Sequence, residues 1–297
     1  MKKLFFSFLL TLLLTTPALA KTNVVATLPW IGSVARDIGK DKINVTVLAK
    51  PNQDAHYLEA KPSMILAARK ADIIMYDGLD LEIGYLPLVI ESSKNPKLMP
   101  GHPGNFDCSR FVTVIEKQGA VDRSLGDVHP LGNPHYHFSS SNVLKVAEGM
   151  TQELAAADSG NEGFYQANYQ AFARRMKEKE KEWHAIPLKG KKYVAYHKYF
   201  EYLAAEFGFQ FVGYLEPKPG IPPSAAHIEQ LIELMKRTNP EAILVTPAIG
   251  EPEAKSLSQK TGVKVIALPH EVGSLPGTSD YFSFMDKVMS SLKQGGE

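Results

Sequence analysis

Short apolar runs alternate along this chain with amphipathic segments, and no other feature of the sequence limits the possible folds as strongly. Val24–Leu28, Val45–Leu48 and Ile73–Tyr76 have the length and composition of buried strands. Strands that are buried on both faces occur in parallel sheets covered by helices. The pattern therefore predicts β-α units with parallel strands.

A second series of such units follows a long helical region. Strands are expected at 193–196, 209–212, 242–245 and 263–268, and helical patterns cover 142–157 and 163–184. We therefore predict an α/β protein with two Rossmann-like lobes, 21–160 and 186–297, joined by a long rigid helix at 161–185. Within the first lobe, Ser63 is expected to cap a helix and Phe111–Ile115 to form a strand.

The first twenty residues have the pattern of a secretory signal peptide. Lys2 and Lys3 precede a short apolar run, and Ala18-Leu19-Ala20 fits an A-x-A cleavage site. The apolar run is shorter than the roughly 20 residues that span a bilayer. A lipid anchor needs a cysteine at the cleavage site, where this chain has Lys21. The sequence predicts a periplasmic protein that is not lipid-anchored.

Charge and cysteine content argue against nucleic acid binding and exclude a disulfide within the chain. The chain carries 33 Lys+Arg against 32 Asp+Glu, a net charge of +1, without a cluster of basic residues that could hold a nucleic acid backbone. Cys108 is the single cysteine, so no disulfide can form within the chain despite the predicted export. The fold must rest on its hydrophobic core.

Histidines lie in loops or at the ends of predicted strands, where α/β sheets build their sites. His56 and His135 belong to the first lobe, and His197 and His270 follow strands of the second. Imidazole is the commonest metal ligand, and zinc favours three or four nitrogen, oxygen or sulfur donors. These residues are therefore candidate metal ligands, although their spacing alone does not establish a site.

Several segments together resemble the zinc/manganese solute-binding proteins of bacterial ABC importers. Asp54–Ser63 stands where that family has D-P-H-x-x-x-x-x-P-S, and Ala71–Leu79 corresponds to its A-D-x-x-x-x-x-G-L. Asn133–His135 and Tyr196–Tyr202 correspond to its second and third ligand segments. The resemblance extends over essentially the whole chain after the signal peptide.

The resemblance implies a metal site in the cleft between the lobes, with His56, His135 and His197 as ligands. The family usually has an aspartate as its fourth ligand, and the matching stretch here begins with His270. We expect His270 in that role, with Glu271, Glu216 or water as the alternatives. His129 is a candidate outer partner that would pair with Asp127.

The function that follows is capture of a divalent transition metal and its delivery to an ABC transporter permease, by a monomer without enzymatic activity. Imidazole donors favour Zn²⁺, and Mn²⁺ or Fe²⁺ is the alternative. A secreted zinc hydrolase is a rival interpretation, but the chain has no H-E-x-x-H motif. A surface adhesin is a third interpretation.

The proline-rich segment 215–224 is expected to be a rigid loop in which Ser224 caps the next helix.

Overall fold

The computed structural model describes residues 21–117, 129–218, 220–247 and 249–295. The predicted signal peptide and Asp127 lie outside these ranges. Eight strands occur in the described residues: β1 Thr22–Ala26, β2 Ile43–Val47, β3 Ile73–Tyr76, β4 Asn105–Asp107, β5 Lys192–Ala195, β6 Gln210–Tyr214, β7 Ala242–Val245 and β8 Val265–Ala267.

The strands form two parallel four-stranded sheets with the same order. The first sheet runs β2-β1-β3-β4 and the second β6-β5-β7-β8. In the first sheet Val24 pairs with Val45 on one side and Ile73 on the other. In both sheets the first strand along the chain lies inside. Because all the strands of a sheet are parallel, their carboxyl ends lie at the same edge. The predicted α/β fold with two lobes is confirmed.

Helices cover both sheets, as parallel strands buried on two faces require. The described part of the chain contains α1 Pro29–Gly39, α2 Pro62–Lys70, α3 Leu86–Ser93, α4 Ser140–Ala157, α5 Glu162–His184, α6 Glu201–Phe207, α7 Ala225–Thr238, α8 Glu251–Thr261 and α9 Tyr281–Gln294. Ser224 does cap α7, because its hydroxyl accepts a hydrogen bond from the backbone nitrogen of His227 at 3.2 Å.

The long helix α5 lies between the two series, as predicted. It buries Tyr165, Phe172, Met176 and Trp183. The last helix, α9, packs against α5 and also against α1. The backbone nitrogen of Tyr281 donates to the Ser33 hydroxyl at 3.0 Å, which ties the end of the chain to the first lobe. The boundaries proposed at residues 160 and 185 stay a prediction.

Two local predictions are wrong. Ser63 does not cap α2: the helix begins at Pro62 after extended Lys61, and Pro at the first turn needs no hydrogen bond to its nitrogen. Phe111–Ile115 is not a strand. The backbone nitrogens of Thr113 and Ile115 donate to side chains of Asn142 and Tyr202, at 3.0 and 3.2 Å, instead of to a neighbouring strand.

The hydrophobic core is continuous between the lobes. One cluster of buried side chains contains Trp30 and Ile74 of the first lobe together with Tyr193 and Leu244 of the second. Cys108 is buried in this cluster as a free thiol. Within the described ranges, no helix is both long and apolar enough to cross a membrane.

Candidate metal centre

His56 is held by the residue that precedes it by two positions. It lies in a 3₁₀ turn, Ala55–Tyr57, that follows β2. The Asp54 carboxylate accepts a hydrogen bond from the backbone nitrogen of His56 at 3.0 Å and lies 2.6 Å from its Nδ1 atom. In this contact Nδ1 carries a proton that faces the carboxylate, and Nε2 is left to contact another group.

The charge of Asp54 is maintained despite its burial. Burial by itself raises the pKa of this carboxyl, but its hydrogen bonds with His56 and the electrostatic attraction of the neighbouring imidazoles outweigh that effect and hold the pKa well below its usual value. The hydroxyl of Tyr199 donates to the second carboxylate oxygen at 3.2 Å. Asp54 is therefore an ionised acceptor shared by two residues at the site.

His135 is buried and comes from the loop before α4. The side chain of Asn133 accepts from its backbone nitrogen at 2.9 Å and donates to the carbonyl of Lys198 at 3.1 Å, which links this loop to the second lobe. The Nε2 atom of His135 has no hydrogen-bond partner among the described residues. Burial, together with neighbouring imidazoles such as His56, holds the pKa of His135 well below its ordinary value.

His197 follows β5, in the second lobe, and is oriented in the same way as His56. Its Nδ1 atom lies 2.7 Å from Oε2 of Glu216, and both side chains are 8% exposed. Glu216 follows β6, the strand that pairs with β5. The carboxylate thus contacts Nδ1 of His197, and Nε2 is the ring nitrogen that remains available to a metal.

The structure brings His56, His135 and His197 together. One ring nitrogen from each lies within 4.8 Å of the other two. The Tyr199 ring packs against two of them, with centroids 4.3 Å from His135 and 4.6 Å from His197. Ligand nitrogens of a tetrahedral zinc ion are about 3.3 Å apart, so a small contraction of this group would allow all three to bind one ion.

His270 does not belong to this group of three nitrogens. It is 6% exposed, its ring centroid lies 6.1 Å from that of Tyr199, and neither of its nitrogens makes a hydrogen bond of standard geometry to the described residues. It lines a cavity of about 30 Å³ together with His56 and His135. Burial lowers its pKa. His270 is therefore a neutral imidazole beside the three histidines.

The two alternative carboxylates have other partners. Glu216 contacts His197, as described above. Glu271 is buried, and its carboxylate accepts a hydrogen bond from the backbone nitrogen of Val272 at 2.8 Å. Burial raises the pKa of Glu271 to about 8.

His129 contacts one of the three histidines, His56. Its Nε2 atom lies 3.0 Å from Nε2 of His56, and its Nδ1 atom lies 3.1 Å from the carbonyl oxygen of Leu79. Burial, and then the adjacent His56, lowers the pKa of His129 to about 4. The predicted partner Asp127 lies outside the described residues, so that pairing stays a prediction.

Sequence reasoning missed the position of Tyr199 and the contact between His129 and His56. It also missed a buried acidic pair beneath the first lobe's strand ends, Asp77 and Glu82. The signal for Asp54 was available, because an aspartate two residues before a histidine can cap the turn that carries it.

Solved structures share the fold of this chain. A crystal structure of ZnuA superposes with a TM-score of 0.78 at 22% identity, covering 93% of this chain and all of the other. A manganese-bound periplasmic metal-binding protein from Candidatus Liberibacter asiaticus gives a TM-score of 0.71 at 21% identity, with 93% and 100% coverage. These likenesses place the chain in a fold class of two α/β lobes.

The chain matches the model of the family described as zinc-uptake complex component A periplasmic, ZnuA, over residues 24–295, and it belongs to that family. Named relatives differ in their metals. The manganese ABC transporter substrate-binding lipoprotein PsaA of Streptococcus anginosus is 25% identical, over 83% of this chain and 79% of its own. The iron-binding protein YfeA of Yersinia pestis is 26% identical, over 95% and 92%.

Proposed function

We propose that this protein captures Zn²⁺ in the periplasm and delivers it to the membrane permease of an ABC importer. As a member of its family, it is a periplasmic metal-binding component of such an importer. The choice of site rests on one observation: ring nitrogens of His56, His135 and His197 lie within 4.8 Å of one another. Because these residues come from both lobes, the bound ion would join the lobes.

The chemistry of these donors supports zinc. Three imidazoles suit a borderline ion, whereas Mn²⁺ prefers more oxygen donors. Two of the imidazoles already have the carboxylate partners that orient metal-binding histidines, Asp54 for His56 and Glu216 for His197. Mn²⁺ or Fe²⁺ is the alternative cargo, supported by the metals named for PsaA and YfeA.

We keep His270 as the proposed fourth ligand. Its support is its burial beside the group and the absence of standard hydrogen bonds from its ring nitrogens within the described ranges. It would need to move towards His56 and His135, with which it lines one cavity. Glu271, Glu216 and water are the alternatives, and for the two carboxylates binding would mean leaving the partners described above.

The test is calorimetric titration of the metal-stripped protein with Zn²⁺ and with Mn²⁺ at neutral pH. We expect tight one-to-one zinc binding that excess manganese does not displace. His197→Ala should weaken zinc binding by more than about 100-fold, beyond the cost of losing an outer partner. His184→Ala, an exposed control at the end of α5, should have no effect.

Each departure from this result has a distinct meaning. A preference for manganese would reject zinc as cargo and retain metal transport. Equal zinc affinities of His197→Ala and His184→Ala would reject the assigned site. No binding of either ion by the unmodified protein would reject the proposed function as a whole.

A further inference from the structure

His129 and His56 face each other through the nitrogen atoms that can bind a metal. The Nδ1 atom of His129 lies against the carbonyl of Leu79, which can only accept, so Nδ1 carries the proton and Nε2 carries the lone pair in the neutral ring. The Nδ1 atom of His56 likewise faces an acceptor, the Asp54 carboxylate. The two Nε2 atoms lie 3.0 Å apart, a hydrogen-bond distance at which one proton lies between them. A metal ion that displaces this proton to solvent would meet one ligand nitrogen on each ring.

The spacing of this pair is close to that of two ligands on one ion. With Zn–N bonds of about 2.0–2.1 Å, two nitrogens in tetrahedral coordination are about 3.3 Å apart. The 3.0 Å separation of the pair lies close to this value, so one ion could bridge the two nitrogens with little movement of either ring. We propose that His56 and His129, here called the outer pair, form a separate metal-binding station through which zinc enters and leaves the inner group of His56, His135 and His197.

Burial gives the direction of this path. His129 is partly exposed, whereas the His56 side chain is 7% exposed and His135 and His197 are 4% and 8% exposed, so the outer pair meets solvent through His129. A hydrated ion that arrives from solvent therefore reaches the outer pair before the inner group. His56 belongs to both, so the ion keeps one ligand during the transfer.

The transfer is a ligand exchange without any change of oxidation state. The bond between the metal and Nε2 of His129 would break as bonds to Nε2 of His135 and of His197 form, and one water ligand would leave. The fourth position would then hold the water that remains or His270. The metal thus passes from two imidazoles to three without returning to the fully hydrated ion.

A station on the path has a particular kinetic signature. It lowers the barrier in both directions, but it does not change the difference in free energy between the free ion and the ion in the inner group. Removing it should therefore slow association and dissociation by the same factor and leave the equilibrium constant unchanged. A permanent fourth ligand would instead act through the dissociation rate and the equilibrium constant.

This inference rests on the proposed function, and the experiment separates the two. Zn²⁺ association is followed by stopped-flow tryptophan fluorescence, and dissociation by transfer to a chromophoric chelator, for the wild type, His129→Ala, His129→Gln and the exposed control His102→Ala. We expect both rates of His129→Ala to fall about tenfold, equivalent to about 1.4 kcal/mol in the barrier. The Kd should stay within twofold of wild type, and His102→Ala should match wild type.

His129→Gln distinguishes ligation from positioning. Glutamine can hydrogen-bond to His56 but is a poor zinc ligand, so it should reproduce the slow rates of His129→Ala if His129 acts by binding the ion. Normal rates in His129→Gln, unchanged rates in His129→Ala, or a raised Kd with unchanged association would each overturn the outer station. Absence of zinc binding by the wild type would instead mean that the proposed function has failed.

The outer pair can also be observed without the inner group. The double variant His135→Ala/His197→Ala retains His56 and His129, and we expect it to bind Co²⁺ weakly with a visible absorption band. Adding His129→Ala should abolish that band, whereas adding His102→Ala should not. Circular dichroism verifies that each variant is folded. A Co²⁺ band that persists without His129 would contradict the inference.

Discussion

The Oε2 atom of Glu216 lies 2.7 Å from Nδ1 of His197, and the two side chains are equally buried. The contact holds the ring in the tautomer that presents Nε2. Asp54 does the same for His56 at 2.6 Å, in the other lobe. Two of the proposed ligands are thus oriented by carboxylates that come from the lobe of the histidine itself.

Removing the Glu216 carboxylate should weaken zinc binding although Glu216 is not itself assigned as a ligand. We expect Glu216→Ala to raise the Kd by about 10–100-fold, the usual cost of losing the partner that orients a metal-binding histidine. Glu216→Gln retains an acceptor for the Nδ1 proton and should lose less. Chelator competition measures the affinity, with exposed Glu229→Ala on α7 as the control. Loss of binding comparable to that of His197→Ala would favour direct coordination by Glu216.

The charge of Asp54 can be tested separately from its capping role. Asparagine retains an oxygen that accepts from the backbone nitrogen of His56, so Asp54→Asn should preserve the 3₁₀ turn and the unfolding temperature. It removes the negative charge beside Nδ1, and we expect weaker zinc binding by about tenfold. Calorimetry and thermal unfolding are compared with exposed Asp41→Asn. Equal zinc affinity in the two variants would contradict a role for the charge.

The sequence predicts the fold well where strands are apolar and buried. Residues 242–245 and 73–76 coincide with β7 and β3, and the apolar run that begins at Val24 overlaps the last three residues of β1. β4 was missed because it has three residues, of which only Phe106 is buried. Helix α1 begins without a capping side chain, and Pro29 at its first position is the signal that marks its start.

The candidate site was predictable only in part. His56, His135 and His197 lie in segments with recognisable local patterns, and each was named from the sequence. The contact between His56 and His129 spans 73 positions. No local pattern encodes it, because it depends on how a loop of the first lobe folds back over another. The position of Tyr199 between the imidazoles depends in the same way on how the lobes pack.

The comparisons support only part of the predicted location. The family description is periplasmic, in agreement with the sequence analysis. The predicted absence of a lipid anchor stands against the names of relatives such as PsaA, which is called a substrate-binding lipoprotein.

Glu82 should make the stability of the metal-free protein depend on pH. Burial raises its pKa to about 7, although Thr27, Asp77 and Gly78 donate hydrogen bonds to its carboxylate. Between the ordinary value near 4.5 and 7, the folded protein binds more protons than the unfolded chain. This contribution to stability is therefore complete below pH 4.5 and is lost as the pH rises through 7.

The Glu82→Gln variant isolates this contribution. Its amide does not titrate, so the difference in unfolding free energy between wild type and variant should move in favour of the variant by a few kcal/mol from pH 5 to pH 8. Urea unfolding at both pH values measures the difference, and exposed Glu241→Gln serves as the control. A difference that does not change with pH would mean that Glu82 titrates in the ordinary range.

Acid should release the metal, because protons and the metal compete for the same imidazole nitrogens. The pKa of His135 lies well below its usual value, so this ring is neutral at pH 7 and ready to bind. Because only the unprotonated nitrogen binds the ion, affinity for the metal should fall as the proton concentration rises. Chelator competition at pH 7.5, 6.5 and 5.5 should show a steadily rising Kd, and His184→Ala should follow the same curve. Retention of full affinity down to the carboxylate range near pH 4 would mean that oxygen donors hold the ion.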